Sequence, residues 1–176
     1  MIFMTHEELQ RKLDTEEKET LVVYEMKFVD YVFNRLLESM TDEECEEAVK
    51  ILNTINNQGL VRMSGRLRTY VRHFRGEDIT LSIDRLSHGE FCFLIAYIAL
   101  RKRTYIAFND LFGSLSRRST VRFLDTFKDN EYLIICVSSE YSKRYYENLV
   151  NDIRNGVYPD FYNCLLYTSD AADEAR

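Results

Sequence analysis

Leu86-Ser87-His88-Gly89-Glu90, the apolar run Phe91 to Leu100, and Tyr105-Ile106-Ala107-Phe108-Asn109-Asp110 form the stretch that decides the fold. Ahead of it, Ile79-Thr80-Leu81-Ser82-Ile83 alternates like a short strand. Glu90 to Lys102 reads as a helix, apolar on nearly every side and therefore expected in the interior. Its basic end, Arg101-Lys102-Arg103, complements the C-terminal end of a helix dipole. Thr104 to Phe108 and Glu131 to Val137 are short apolar β-runs. Ser116 is placed to cap a helix through about Lys128, and Ser142 one through about Ile153. Strand–helix–strand–helix order predicts that 104–109 and 132–137 are adjacent and parallel. The 117–128 helix would be their right-handed crossover, with helix 90–102 packed on one covered face.

Toward the N-terminus the pattern reads as helices. Thr5 with Glu8 is a capping box and predicts a first helix from about His6 to Glu19. Val22, Met26, Val29, Phe33, Leu36, Leu37 and Met40 repeat at helical steps and predict a second. A second box, Thr41-Asp42-Glu43-Glu44, opens a third helix carrying Cys45, Ala48, Val49, Ile51, Leu52 and Ile55, which frays at Asn56-Asn57-Gln58-Gly59. Leu60 to Phe74 reads as a fourth, basic helix. The expected class is α/β: a helical region over 1–76, then a small parallel-stranded piece over 77–160. The end, Cys164-Leu165-Leu166-Tyr167-Thr168-Ser169-Asp170-Ala171-Ala172-Asp173-Glu174, resembles a peptide found where translation runs into sequencing-adaptor DNA. Residues 161–176 are therefore expected to be a non-native tail, the natural chain being cut near Asn163.

Composition narrows the function classes. The 176 residues are 45% hydrophobic and 30% charged, with one proline, which fits one globular domain with a real core. The longest apolar stretch is about half of what a bilayer crossing needs. The start, Met1-Ile2-Phe3-Met4-Thr5-His6-Glu7-Glu8, turns acidic at once, so no secretory leader is expected. The expectation is a soluble, cytoplasmic protein with no membrane partner. Cys45, Cys92, Cys136 and Cys164 lie far apart without a C-x-x-C pair, which disfavours a metal site or a disulfide framework. Cys92 and Cys136 read as small buried hydrophobes. The net charge of -6 is uneven. Residues 1–50 carry 14 acids and 6 bases, residues 51–130 carry 7 acids and 13 bases, and the rest 8 acids and 4 bases.

The L-S-x-G-E loop, the helix after it and the strand ending in two polar residues resemble the C-terminal half of an ABC/SMC-like ATPase domain. That group includes AAA-family and recombination-repair ATPases, and the likeness covers roughly residues 79–150. The resemblance implies that Ser87, His88, Gly89 and Glu90 form the signature loop. In that family the loop binds the γ-phosphate of ATP held by the opposite subunit, through helix N-terminal N–H groups. His88 stands where the family often has Gly. The read-alone alternative for this segment is a Ser-capped turn. By the same likeness Asn109 holds the first Walker B position, which binds Mg²⁺, and Asp110 the catalytic Glu position. Asn109 supplies no negative charge, and Asp110 is one methylene short. Ser116 falls at the D-loop Asp and Ser139 at the switch His. No G-x-x-x-x-G-K-[ST] occurs, so the cradle that grips the β- and γ-phosphates is missing.

Three functional expectations follow. The first is a truncated or degenerate ABC/SMC-like ATPase domain, inactive alone, whose loop meets ATP in trans. Its partner would be an ATPase subunit or a missing N-terminal half carrying a P-loop, and ATP and Mg²⁺ would be present only in that complete or partnered domain. The second is a pseudo-ATPase module that docks on a real ATPase. The third is a helical nucleic-acid-binding protein using Arg62, Arg66, Arg68, Arg72 and Arg75, with Tyr70 and Phe74 between them, on DNA. The bland reading of those arginines is a solvated face balancing the acidic N-terminal third. DNA repair, chromosome organisation and phage defence all use such ATPases, and the sequence does not separate them.

Overall fold

The computed structural model describes residues 1–16, 18, 20–23, 31–56, 59–130 and 132–162. It is a mixed α/β protein with two sheets. A four-stranded parallel sheet holds β1 (Ile2–Met4), β7 (Ile134–Val137), β6 (Tyr105–Asn109) and β2 (Thr20–Val23), in that spatial order. A three-stranded antiparallel sheet holds β3 (Leu60–Ser64), β4 (Thr69–Phe74) and β5 (Glu77–Ser82). The helices are α1 (His6–Thr15), α2 (Tyr31–Glu38), α3 (Asp42–Asn56), α4 (His88–Lys102), α5 (Leu111–Ser114), α6 (Arg117–Phe127) and α7 (Glu140–Arg154).

The parallel sheet is covered on both faces, which is why its strands are apolar throughout. Alternation divides its side chains. Phe3, Leu21, Ile106, Phe108, Ile134 and Cys136 join the main core, while Ala107, Ile135 and Val137 meet Leu9 of α1 on the other face. On the main face Phe93 of α4, Phe108 of β6 and Phe123 of α6 interlock edge to face, with centroids 5.2 and 5.9 Å apart. Residues Phe91 to Ala99 of α4 are buried without a break. Toward its C-terminal end α4 is tied to α3: the Tyr97 hydroxyl donates to Glu47 at 2.8 Å, and Lys102 pairs with Glu44 at 3.1 Å. Burial pushes the thiols of Cys92 and Cys136 up to about 12, as befits small core residues.

The strands at 105–109 and 134–137 are adjacent and parallel, with α6 between them in the chain and α4 packed against both. The capping boxes at Thr5–Glu8 and Thr41–Glu44 both form. No helix of the described residues is long and apolar enough to cross a membrane.

Several expectations are corrected. Region 1–76 is not purely helical, because β1 and β2 flank α1 and complete the parallel sheet. The first helix ends at Thr15, and Val22 lies in β2 rather than in the second helix. Met26 and Val29 fall outside the described residues. The basic helix over 60–74 is instead the β3–β4 pair, continued by β5. Two turns account for this. Arg75 (φ 51°) and Gly76 (φ 81°) are both left-handed, as the tight two-residue hairpin requires. Gly65 opens the other turn, which Arg68 closes at φ 54°. The β4–β5 ladder thus crosses the expected boundary at 76/77. The last helix is capped by Ser139, whose hydroxyl accepts from the Ser142 N–H, not by Ser142. Tyr162 is buried, and Phe161 packs under Arg117, so the fold extends through 162; the rest of the expected tail lies outside the described residues.

Gly65 has a steric reason. A Cβ there would sit 2.3 Å from the Leu37 carbonyl oxygen and 3.1 Å from Met40 Cβ, where the hairpin presses on α2. Gly65→Ala is expected to cost about 1–3 kcal/mol in urea denaturation, in the range of core overpacking. Gly89→Ala, whose added Cβ meets only ordinary contacts at 3.7 and 3.8 Å, should stay within about 0.5 kcal/mol of the parent.

Candidate functional site

The 87–90 segment opens the buried helix α4. Ser87 is its N-cap, in extended backbone, and a capping box closes around it. The Ser87 hydroxyl accepts from the Glu90 N–H at 3.3 Å, and Glu90 Oε1 accepts from the Ser87 N–H at 3.1 Å. The first-turn N–H groups of His88 and Gly89 make no hydrogen bond to the described residues, as helix geometry leaves them. Ser87 and His88 are exposed and Gly89 is half-buried, whereas Glu90 is only 2% exposed. The Glu90 carboxylate turns inward and takes Arg72 of β4, with Nη2 3.1 Å from both oxygens. Of the four signature-like residues, Ser87 and His88 therefore are exposed, Gly89 is half-buried, and Glu90 locks the helix start to the antiparallel sheet.

The loop packs against the 114–119 segment of its own chain. His88 Nε2 lies 2.7 Å from Ser114 Oγ, and the Ser114 hydroxyl donates to the Leu111 carbonyl at 2.9 Å. With that one proton committed, the neutral imidazole donates through Nε2. Partial desolvation of the ring where it meets Ser114 holds the His88 pKa below the ordinary histidine value, though the residue as a whole is exposed. Gly89 faces Ser119 and Leu115. Ser116 caps α6 by accepting from the Ser119 N–H at 3.1 Å.

Asn109 and Asp110 lie elsewhere, at the carboxyl end of the parallel sheet. Asn109 is the last residue of β6 and pairs in register with Val137, and its Oδ1 is buried without a partner among the described residues. Asp110 is left-handed (φ 51°) and exposed, and its carboxylate caps no N–H. It folds over Gly113, where a Cβ would lie 2.7 Å from Oδ2. Among the described residues no group of three or more His, Cys, Asp and Glu could hold a metal. One neutral amide and one exposed carboxylate do not fit a resident Mg²⁺, whose sites use carboxylates and several waters.

Sequence reasoning passed over the neighbouring crevice. Thr5, His6, Glu7, Glu8 and Arg11 of the β1–α1 junction face Ser138, Ser139 and Glu140 across an open space of about 430 Å³. It sits outside the carboxyl ends of β1 and β7, where parallel sheets characteristically take ligands. Lys143 spans toward it, donating to Glu8 at 2.9 Å, and that hydrogen bond holds the Glu8 carboxyl below its usual value. The strand–helix connection is the single residue Thr5, with no glycine, so it offers no loop of N–H groups to wrap a phosphate. Glu7, Glu8 and Glu140 add like charge against an anion. The strand was legible only as three apolar residues, Ile2-Phe3-Met4, before the Thr5 cap.

The arginine series does not form a stripe, because the helix expected to carry it is a hairpin. Arg72 is committed to Glu90, and Arg75 lies over the Phe74 ring at 5.0 Å in the turn.

No protein-family model matches the chain, and neither a curated protein nor a solved structure is similar to it.

Two outcomes are expected here. Glu90→Ala strips the half-buried Arg72 of this carboxylate and removes half of the capping box, so unfolding free energy should fall by about 3 kcal/mol, the low end for a broken buried pair. An outward, solvated Glu90 would give less than about 1 kcal/mol. The second concerns pH. The folded His88 pKa lies below the unfolded value of 6.5, so below that pH the unfolded chain binds the proton more readily and stability falls with acidification. The loss runs from the unfolded pKa down to the folded one and then levels off. His88→Gln should flatten that part of the stability–pH curve relative to the parent.

Proposed function

We propose that this chain is a degenerate ABC/SMC-like ATPase module whose 87–90 loop contacts ATP in trans, the nucleotide and Mg²⁺ being held by a P-loop-bearing partner or by a further part of a longer chain. The observation that carries the reading is the presentation of Ser87, His88 and Gly89. Ser87 and His88 are exposed and Gly89 is half-buried at the start of a 15-residue helix, with the His88 and Gly89 N–H groups unbonded among the described residues. A helix N-terminus of this kind favours a phosphate oxygen through both its N–H groups and its dipole. The spacing to a buried β6 that ends at Asn109, with Asp110 directly after it, supports the same kinship.

The module hydrolyses nothing by itself on this reading. The β1–α1 junction has no phosphate cradle, Asn109 brings no charge to a metal, and Ser139 is used as a helix cap. ATP can therefore be engaged only from its γ-phosphate side. A second reading, a docking module that meets a partner ATPase without touching nucleotide, is favoured by the packing of His88 and Gly89 on Ser114, Leu115 and Ser119.

Titration of the ¹⁵N-labelled protein with the magnesium complex of a non-hydrolysable ATP analogue separates the two. Trans contact predicts weak, saturable amide shifts centred on His88 and Gly89, abolished by Gly89→Asp. That variant suits the first helical turn electrostatically and has room for its Cβ, yet it repels phosphate. Shifts centred on Thr5 to Glu8 would instead mean binding in cis. No shift at 88–89 would leave the docking module. No Mg²⁺-dependent ATP turnover is expected from the purified chain.

A further inference from the structure

β5 is the outer strand of the antiparallel sheet, and among the described residues nothing pairs with its far edge. Every residue of this six-residue strand except Leu81 is exposed. Its register with β4 is unbroken from Phe74↔Glu77 to Thr69↔Ser82. A two-residue hairpin makes Phe74 and Glu77 a bonded pair, so bonded pairs recur at Arg72↔Ile79 and Tyr70↔Leu81. The N–H and C=O groups of Asp78, Thr80 and Ser82 consequently point away from the sheet. Exposed edges are usually blunted by proline, lysine, a bulge or a cover. Among the described residues β5 has none of these; of its two carboxylates, Glu77 sits at the hairpin end and Asp78 already holds His73 Nδ1 at 2.8 Å.

We propose that a second copy of this chain pairs its β5 antiparallel with this edge, with the two-fold axis at Thr80. The outward groups belong to 78, 80 and 82, and a symmetric antiparallel pairing centres on one of these or on the intervening Ile79 or Leu81; centring on Ile79 or Leu81 bonds only two residue pairs within the strand, where centring on Thr80 bonds three. Centring on Asp78 sets two carboxylates directly opposite, which is destabilising. Centring on Ser82 pairs the strand with residues 83–85, which have left the sheet as a 3₁₀ turn. Centring on Thr80 sets Asp78 against the Ser82 hydroxyl of the second copy, twice, and Ile79 against its Leu81. Like charges are kept apart, and the exposed Ile79 gains an apolar neighbour. A foreign peptide could also use the edge, but only self-pairing gets this complementarity from β5 alone. A six-residue edge is small, so the dimer is weak and concentration-dependent.

Sedimentation velocity on the full chain at rising concentration reads this directly, and a reversible monomer–dimer equilibrium is expected. Thr80→Pro removes an outward N–H that the monomer does not use; it should keep the parent circular dichroism and weaken dimerisation by at least about tenfold. Cross-linking covers the case in which that variant misfolds. In a Cys164→Ser background, Thr80→Cys should form an inter-chain disulfide under mild oxidation, because opposed bonded residues lie about 5.5 Å apart. Asp78→Cys should not, its two copies being about 14 Å apart in this register. A monomer at every concentration, a dimer indifferent to a folded Thr80→Pro, or equal cross-linking from positions 78 and 80 would each overturn the proposal.

Discussion

The contact between the Glu90 carboxylate and the Arg72 guanidinium is the constraint around which the rest is arranged. Glu90 is 2% exposed, and both of its oxygens lie 3.1 Å from the same guanidinium nitrogen. One of those oxygens also closes the capping box on Ser87. A single side chain thereby fixes where α4 begins, how it is rotated, and how the antiparallel sheet sits against it. Pairing and hydrogen bonding are what make a buried charge tolerable, and either alone would leave a costly orphan. Beyond that anchor, the unbroken burial of Phe91 to Ala99 binds α4 into the parallel sheet through the Phe93, Phe108 and Phe123 cluster.

The second half of the chain was legible in the sequence because its signals are local and agree. The buried α4, the apolar runs of β6 and β7 and the Ser116 cap each appear within a short window. The Ser-capped turn read for Leu86 to Glu90 matches Ser87 as N-cap, but the inward Glu90 and its pairing with Arg72 were not legible, because they depend on β4 across the fold. The first half was harder. β1 and β2 are three and four residues long, and their strand character comes from partners more than eighty residues away. The arginines between 62 and 75 suggested a helix face. Gly65, and the Arg75-Gly76 pair, outweighed that suggestion through backbone geometry that a charge pattern does not report.

The candidate residues divide by chemistry. Those at the start of α4 offer what anion contact needs: an exposed cap and N–H groups without a partner among the described residues. Asn109 and Asp110 lack the chemistry of a metal site, for one is neutral and the other folds over Gly113. The open crevice at Thr5 and Ser139 is likewise shaped by the sheet yet lined by acids. On the proposed reading, the outward helix terminus and the absence of a phosphate cradle at the β1–α1 junction suit the chain to a nucleotide held elsewhere.

That account depends on the α4 terminus being pre-formed, with two free amides held in place by Glu90. Native-state hydrogen exchange across residues 86–99 measures this most directly. The account predicts that His88 and Gly89 exchange nearly as fast as exposed amides, while Glu90 and Phe91, bonded to the Ser87 hydroxyl and carbonyl, are protected with β4 and β6. Equal protection from His88 through Phe91, or fast exchange across all four, would contradict it.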